Sequence, residues 1–87
     1  MKPDDILAIR EEIYALPPAR LLQRAELYVS LGATDPAINR APAERNEAVV
    51  RRIRDAYDRH RKIDVKGIEF LRGFCVKEQT RRWGEQE

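Results

Sequence analysis

The most reactive side chains in this sequence are one cysteine, one histidine and two adjacent glutamates. Cys75 shares a predicted helix face with Leu71, which favours a buried thiol over a reactive thiolate. His60 has no other histidine or cysteine at ligand spacing, so we expect it to pack at the core edge, in the last turn of a helix. Glu11 and Glu12 point about 100° apart on a helix and do not converge as an acid and base pair.

The sequence also contains no phosphate-cradling glycine loop, no nucleophile elbow and no metal-binding spacing. Catalysis needs a nucleophile, a base and a stabilising group held close together, and the pattern offers none of these sets. We therefore predict that the protein is not an enzyme and uses no metal and no cofactor.

Arginines form the next candidate site, in and around the stretch "VVRRIRDAYDRHRKID", residues 49–64. Arg45, Arg52 and Arg59 stand seven residues apart, along one edge of an apolar helix stripe, and Arg54 and Arg61 follow the other edge. Guanidinium groups in a line can follow a phosphate backbone or an acidic protein surface.

The alternative is a solvated helix face that compensates its own charge. Acidic and basic residues recur at i,i+4 spacing, and each such pair stabilises a helix by only about 0.2–0.5 kcal/mol. The pairs are Glu47–Arg51, Arg51–Asp55, Arg54–Asp58, Asp55–Arg59 and Asp58–Lys62. Both interpretations of the basic face stay open on the sequence alone.

A second line of side chains runs along the last predicted helix, beside its core face. It contains Val65, Val76 and Trp83, with Arg72 close to it. Tryptophan and arginine are enriched at binding hot spots, so this line predicts a partner contact. The structural alternative is that Trp83 covers the first helix or lies on a frayed end. Gly73 in a helix interior predicts a close neighbour.

These two surfaces together give the predicted partner-binding residues. They are Arg45, Arg52, Arg59, Arg72, Val76 and Trp83.

The segment "AELYVSLGATDPAINRA", residues 25–41, resembles the helix-turn-helix of bacterial transcription regulators. Gly32 stands at the turn position, Leu31 is the apolar residue before it, and Ile38 is the apolar residue six later. The resemblance implies a recognition helix that starts within "TDPAINRA" and reads DNA with residues 34–45. The alternative is an ordinary interhelical loop.

Under the helix-turn-helix interpretation, several polar side chains would face the groove of the DNA, since Arg and Asn offer the usual base-edge pairings. These residues are Thr34, Asp35, Asn39, Arg40 and Arg45.

The elements that position these residues are predicted from apolar spacing at a 3.6-residue period. Pro17 ends one helix and Pro18 opens the next, Pro42 opens a third, and Asp64 caps a fourth. We predict an all-α single domain over 1–87, a small bundle of four helices with a longer loop, 32–41, between helices two and three. The predicted helices span about 4–16, 18–31, 42–61 and 65–82.

The second helix has the widest apolar arc, about 220° of its circumference, interrupted only by Arg24. Such an arc needs neighbours on two sides, so this helix is either the centre of the bundle or the seam of a homodimer.

Charge is distributed unevenly along the 87 residues, whose net charge is only +2. Residues 1–44 hold five basic and seven acidic side chains, and residues 45–87 hold twelve and eight. A single cysteine and the lack of a long apolar stretch predict a cytoplasmic protein that does not enter a membrane.

We expect a small adaptor or inhibitor that docks on a larger protein or ribonucleoprotein complex. Inhibitors encoded by phages and plasmids are comparable in size and class. The alternative function is a dimeric DNA-binding regulator that pairs through helix two.

Overall fold

Four runs of amphipathic sequence become four helices. The structure, a computed structural model, describes residues 2–86, with side chains described for residues 2–83. Within residues 2–86 there is no β-strand, which confirms the predicted all-α bundle. The helices are α1 (Pro3–Tyr14), α2 (Pro18–Ala33), α3 (Arg40–His60) and α4 (Val65–Gln86).

The helix ends follow local chemistry. Pro17 precedes α2 with an extended backbone, and Pro18 occupies its first turn, where a missing N–H costs nothing. Arg61 ends α3 in the left-handed conformation, with φ of 52°. The Asp64 carboxylate accepts a 2.7 Å hydrogen bond from the Gly67 amide and so caps α4, as predicted.

Helices α2 and α4 run parallel to each other at the centre of the bundle. The Cys75 thiol lies 3.9 Å from the Leu21 carbonyl oxygen, and further along both helices the Tyr28 hydroxyl donates to Gln79. Helix α1 packs on α4, and α3 packs on α2 and on the adjacent side of α4. The body is flattened, with extents of 40 × 29 × 16 Å along its principal axes. Helix α2 is thus central, as its wide apolar arc predicted.

One continuous apolar core lies between these helices, and α2 supplies more of it than any other helix. The buried apolar residues are Ile9, Ile13, Leu21, Leu22, Ala25, Tyr28, Val50, Leu71 and Cys75. Leu27 and Leu31, which belong to the predicted α2 arc, are exposed. The homodimer seam through α2 stays a prediction.

The connection between α2 and α3 is the longest of the three, as predicted, but it is shorter than the expected loop over 32–41. It covers only residues 34–39. Gly32 is still helical, and its missing side chain makes room for Ile38, whose Cδ1 lies 3.2 Å from where a Cβ would stand. Helix α3 then begins at Arg40, two residues before Pro42.

Three other local predictions were wrong. Helix α1 ends at Tyr14 and not at residue 16, and α4 continues past residue 82 to Gln86. A side chain added at Gly73 would meet nothing within 4 Å, so no close neighbour requires a glycine there. The glycine that packing does require is Gly67, where an added Cβ would lie 2.8 Å from Ile63 Cγ2.

Candidate functional site

The reactive side chains do not meet in the structure. Cys75 is buried in the core, as predicted, and burial raises the pKa of its thiol to about 12. His60, the last residue of α3, is exposed, so the prediction that it packs at the core edge was wrong. Glu12 accepts hydrogen bonds from Arg24 and Gln79 and serves the contact between helices. Among the described residues, no group of three or more histidine, cysteine or acidic side chains is placed to hold a metal ion.

The Gln79 amide joins three helices. Its Oε1 accepts hydrogen bonds from Arg24 Nη1 at 3.1 Å and from the Tyr28 hydroxyl at 3.0 Å, and its Nε2 donates to Glu12 Oε2 at 3.2 Å. Glu12 lies on α1, Arg24 and Tyr28 on α2, and Gln79 on α4. These polar groups stabilise the bundle and are not available to a ligand.

Fewer of the α3 arginine charges are paired with carboxylates than the i,i+4 interpretation predicts. Among the described residues, two of the five predicted pairs form, Glu47–Arg51 and Arg54–Asp58. Arg54 also turns inward, where its Nε and Nη2 donate to both carboxylate oxygens of Glu26 on α2. Those hydrogen bonds raise the pKa of Arg54, so it holds α3 to α2.

The other edge of the stripe stays open. Arg45, Arg52 and Arg59 are exposed, and none of them forms an ion pair within the part of the chain that the structure describes. Three positive charges on one helix therefore have no acidic partner there.

Beside this line is an open depression of about 640 Å³ between α3 and the start of α4, the α3–α4 groove. Ile53, Ile63 and Phe70 contribute half-buried apolar surface to its floor, and the Phe70 ring stacks on Phe74 with centroids 6.0 Å apart. The size is within the range of ligand sites, about 300–1,000 Å³. The full lining consists of Val49, Arg52, Ile53, Ala56, His60, Lys62, Ile63, Asp64, Lys66, Gly67 and Phe70.

Three positively charged side chains line the groove together with that apolar floor. Arg52 stands on α3, Lys62 in the turn after α3, and Lys66 in the first turn of α4. None of these three forms an ion pair within the described residues. Asp64 is the one carboxylate of the lining, and it already accepts the capping hydrogen bond from the Gly67 amide. The rim is therefore net positive around an apolar centre.

The predicted partner line on α4 does not belong to this groove. The Arg72 guanidinium covers the Tyr14 ring of α1 at 4.7 Å from its centroid, and Val76 is partly buried against the core. Trp83 keeps 43% of its surface exposed and Val65 keeps 74%. The structure brings Arg52 to the groove but leaves Arg72 on the α1 side of α4.

The residues of the helix-turn-helix interpretation lie in and after the α2–α3 connection. Residues 34–39 connect the two helices, and α3 begins at Arg40, near the end of "TDPAINRA". DNA reading by residues 34–45 stays a prediction. Thr34 and Asn39 are exposed. Arg40 folds back and donates to the Gly32 carbonyl at 2.6 Å.

Asp35, in the same connection, is held from two sides. It accepts a hydrogen bond from the Ala37 amide at 2.9 Å and pairs with Arg81 of α4 at 3.4 Å. The amide hydrogen bond, helped by Arg81, lowers the pKa of the Asp35 carboxyl. Asp35 is thus occupied with fixing the connection to α4.

Sequence reasoning assigned no site role to several residues that matter here: Glu26, Lys62, Lys66 and Gly67. A usable signal existed for the two lysines, since they flank the Asp64 cap at the turn between α3 and α4. No local signal existed for Glu26, because its partner Arg54 is 28 residues away.

Comparison with known proteins gives no relative from which a site could be transferred. No protein-family model, curated protein or solved structure matches this chain. Among the described helices, none is both long and apolar enough to cross a bilayer.

Proposed function

We propose that this protein is a non-enzymatic cytoplasmic binding protein, an adaptor or inhibitor that docks on a larger macromolecular complex. The docking surface consists of the α3–α4 groove and the line of Arg45, Arg52 and Arg59 beside it. The observation that carries the proposal is the combination of an apolar floor with three rim cations, Arg52, Lys62 and Lys66, that have no ion-pair partner among the described residues.

Folding alone does not account for this surface. Exposed ion pairs add about 0–1 kcal/mol to stability, and unpaired exposed cations add less, so the cations on the groove contribute little to holding the bundle. An apolar depression whose lining has a net positive charge is typical of an interaction site. Trp83, at the end of α4, offers a second contact on the same partner or on another subunit of the complex.

Affinity capture from the native host tests the proposal. The double variant Arg52→Glu with Lys66→Glu reverses two rim charges without touching the core, so we expect it to lose the captured partner. Arg20→Glu is the matched control, because Arg20 is exposed on α2 and does not line the groove. Equal recovery by wild type and by the double variant would contradict the proposal.

The dimeric DNA-binding regulator stays a separate prediction with its own assay. It requires DNA retention that falls steeply with salt, and relaxed sequence preference in Asn39→Ala. Light scattering measures the homodimer through α2 independently. A monomer that shows no mobility shift at low salt would contradict this alternative.

A further inference from the structure

We infer that the occupant of the α3–α4 groove is an acidic amphipathic helix of a partner protein. This inference rests on the proposed function, and it adds the chemistry of the partner. Three observations support it: an open apolar floor, three cations among the residues that line the groove, and a line of cations that continues beyond the groove.

The floor favours apolar side chains as the first contact. Ile53, Ile63 and Phe70 are each half-buried in the isolated chain, so a docked partner can remove their remaining apolar surface from water. Ala56 also lines the groove, is exposed, and leaves room for an entering side chain because it is small. Grooves of this kind take the apolar stripe of a helix, with anchors at i, i+3 or i+4, and i+7.

The charges favour an extended acidic ligand over a small anion. Arg52, Lys62 and Lys66 come from α3, the following turn and α4, whereas a single carboxylate or phosphate needs cations that converge on one point. Arg45 and Arg59 continue the Arg52 line in both directions along α3. At 1.5 Å per residue, that line is about 21 Å long, the length of a helix of about 14 residues.

The same surface suits a nucleic acid less well. A phosphate backbone would use the cations but would gain nothing from an aliphatic floor of Ile53 and Ile63. A partner helix has both an apolar stripe for the floor and acidic flanks for the rim.

A synthetic peptide tests the inference directly. It has about 14 residues, with leucines on one helical face and glutamates on the flanks. The first comparison peptide has the same composition in an order that disperses the leucines around the helix. The second probe is a single-stranded or duplex oligonucleotide. Fluorescence anisotropy measures binding of each probe to the whole protein.

Two matched variants locate the binding. Ala56→Glu places a carboxylate in the groove without removing a packed side chain, and Ala8→Glu makes the same change on the exposed surface of α1. We expect Ala56→Glu to weaken binding of the amphipathic peptide by about tenfold or more, because the new carboxylate is desolvated and faces an acidic ligand. Ala8→Glu should bind like wild type, and circular dichroism confirms that both variants fold.

Methyl NMR then shows where the peptide lies. The methyl signals of Ile53 and Ile63 should shift on addition of the amphipathic peptide, while those of the core residue Ile9 stay in place. Equal binding of the ordered and dispersed peptides would overturn the inference, as would equal binding to wild type and Ala56→Glu, or no peptide binding at all.

Tighter binding of the oligonucleotide than of the peptide would also overturn the inference. That result would indicate a nucleic acid as the partner in place of a protein helix, and it would not contradict the proposed function. The proposed function fails separately, when affinity capture gives the same partners with and without the rim charges.

Discussion

Helices α2 and α3 make opposite use of their lengths. Helix α2 has 16 residues and buries five of them, whereas α3 has 21 residues and buries only Val50. Helix α3 is held by that residue, by half-buried neighbours and by the Arg54–Glu26 pair. Helix α2 is therefore needed to build the core, while most of α3 faces outward with more positive charge than folding requires.

The largest expected effect on stability compares one substitution on each helix, and both substitutions remove the same number of carbon atoms. Leu22 is fully buried on α2, so Leu22→Ala should lower the free energy of unfolding by about 2–5 kcal/mol. Ile53→Ala on α3 removes a half-buried side chain and should cost less than half of that. Urea denaturation followed by circular dichroism measures both, and equal losses would erase the contrast between the helices.

The second prediction concerns the side of α4 that faces α3. Gly67→Ala should destabilise the protein by about 1–3 kcal/mol, because the new Cβ overlaps Ile63 at the turn after α3. Gly73→Ala has open space and should stabilise the helix by about 0.5–1 kcal/mol. Opposite shifts in Tm test the pair, and a loss of stability in Gly73→Ala would contradict the structure.

The third prediction tests how α3 is attached to α2. Glu26→Gln removes the charge of the only described ion pair between these helices and should cost about 1 kcal/mol, since both side chains are about a third exposed. Glu47→Gln, which breaks only the i,i+4 pair with Arg51, should cost about 0.3–0.5 kcal/mol. Denaturation at low and high salt measures both costs, and a larger loss in Glu47→Gln would reverse the assignment.

The smallest expected effect on stability is at the groove. Arg52→Glu should change the free energy of unfolding by no more than about 0.5 kcal/mol, because Arg52 is exposed and forms no ion pair among the described residues. A loss as large as that of Leu22→Ala would mean that α3 supports the fold through this residue, and the proposed docking surface would lose its basis.

The helices themselves could be predicted from the sequence because their signals are local. Pro17 with Pro18, and the Asp64 cap, act within one turn of the residues that they organise. The end of α2 was placed too early because Gly32 is usually a stop. Here α2 continues through Gly32 to Ala33, and Ile38, six residues later, packs close to Gly32.

The candidate site was only half predictable. Arg52 follows from its position on the edge of an apolar stripe, and the structure places it at the groove. The pairing of Arg54 with Glu26, and the meeting of Lys62 and Lys66 around one floor, depend on how α3 and α4 pack. Helical periodicity places residues on a face, and it does not say which faces meet.

The Gln79 contact has a consequence for the alignment of the helices. An amide has one acceptor end and one donor end, and here both are used, with α2 on one end and α1 on the other. If α1 shifted along α4 by a single residue, the Glu12 carboxylate would no longer accept the hydrogen bond from Gln79 Nε2. The contacts of Gln79 thus add a directional constraint on how α1 and α2 align along α4.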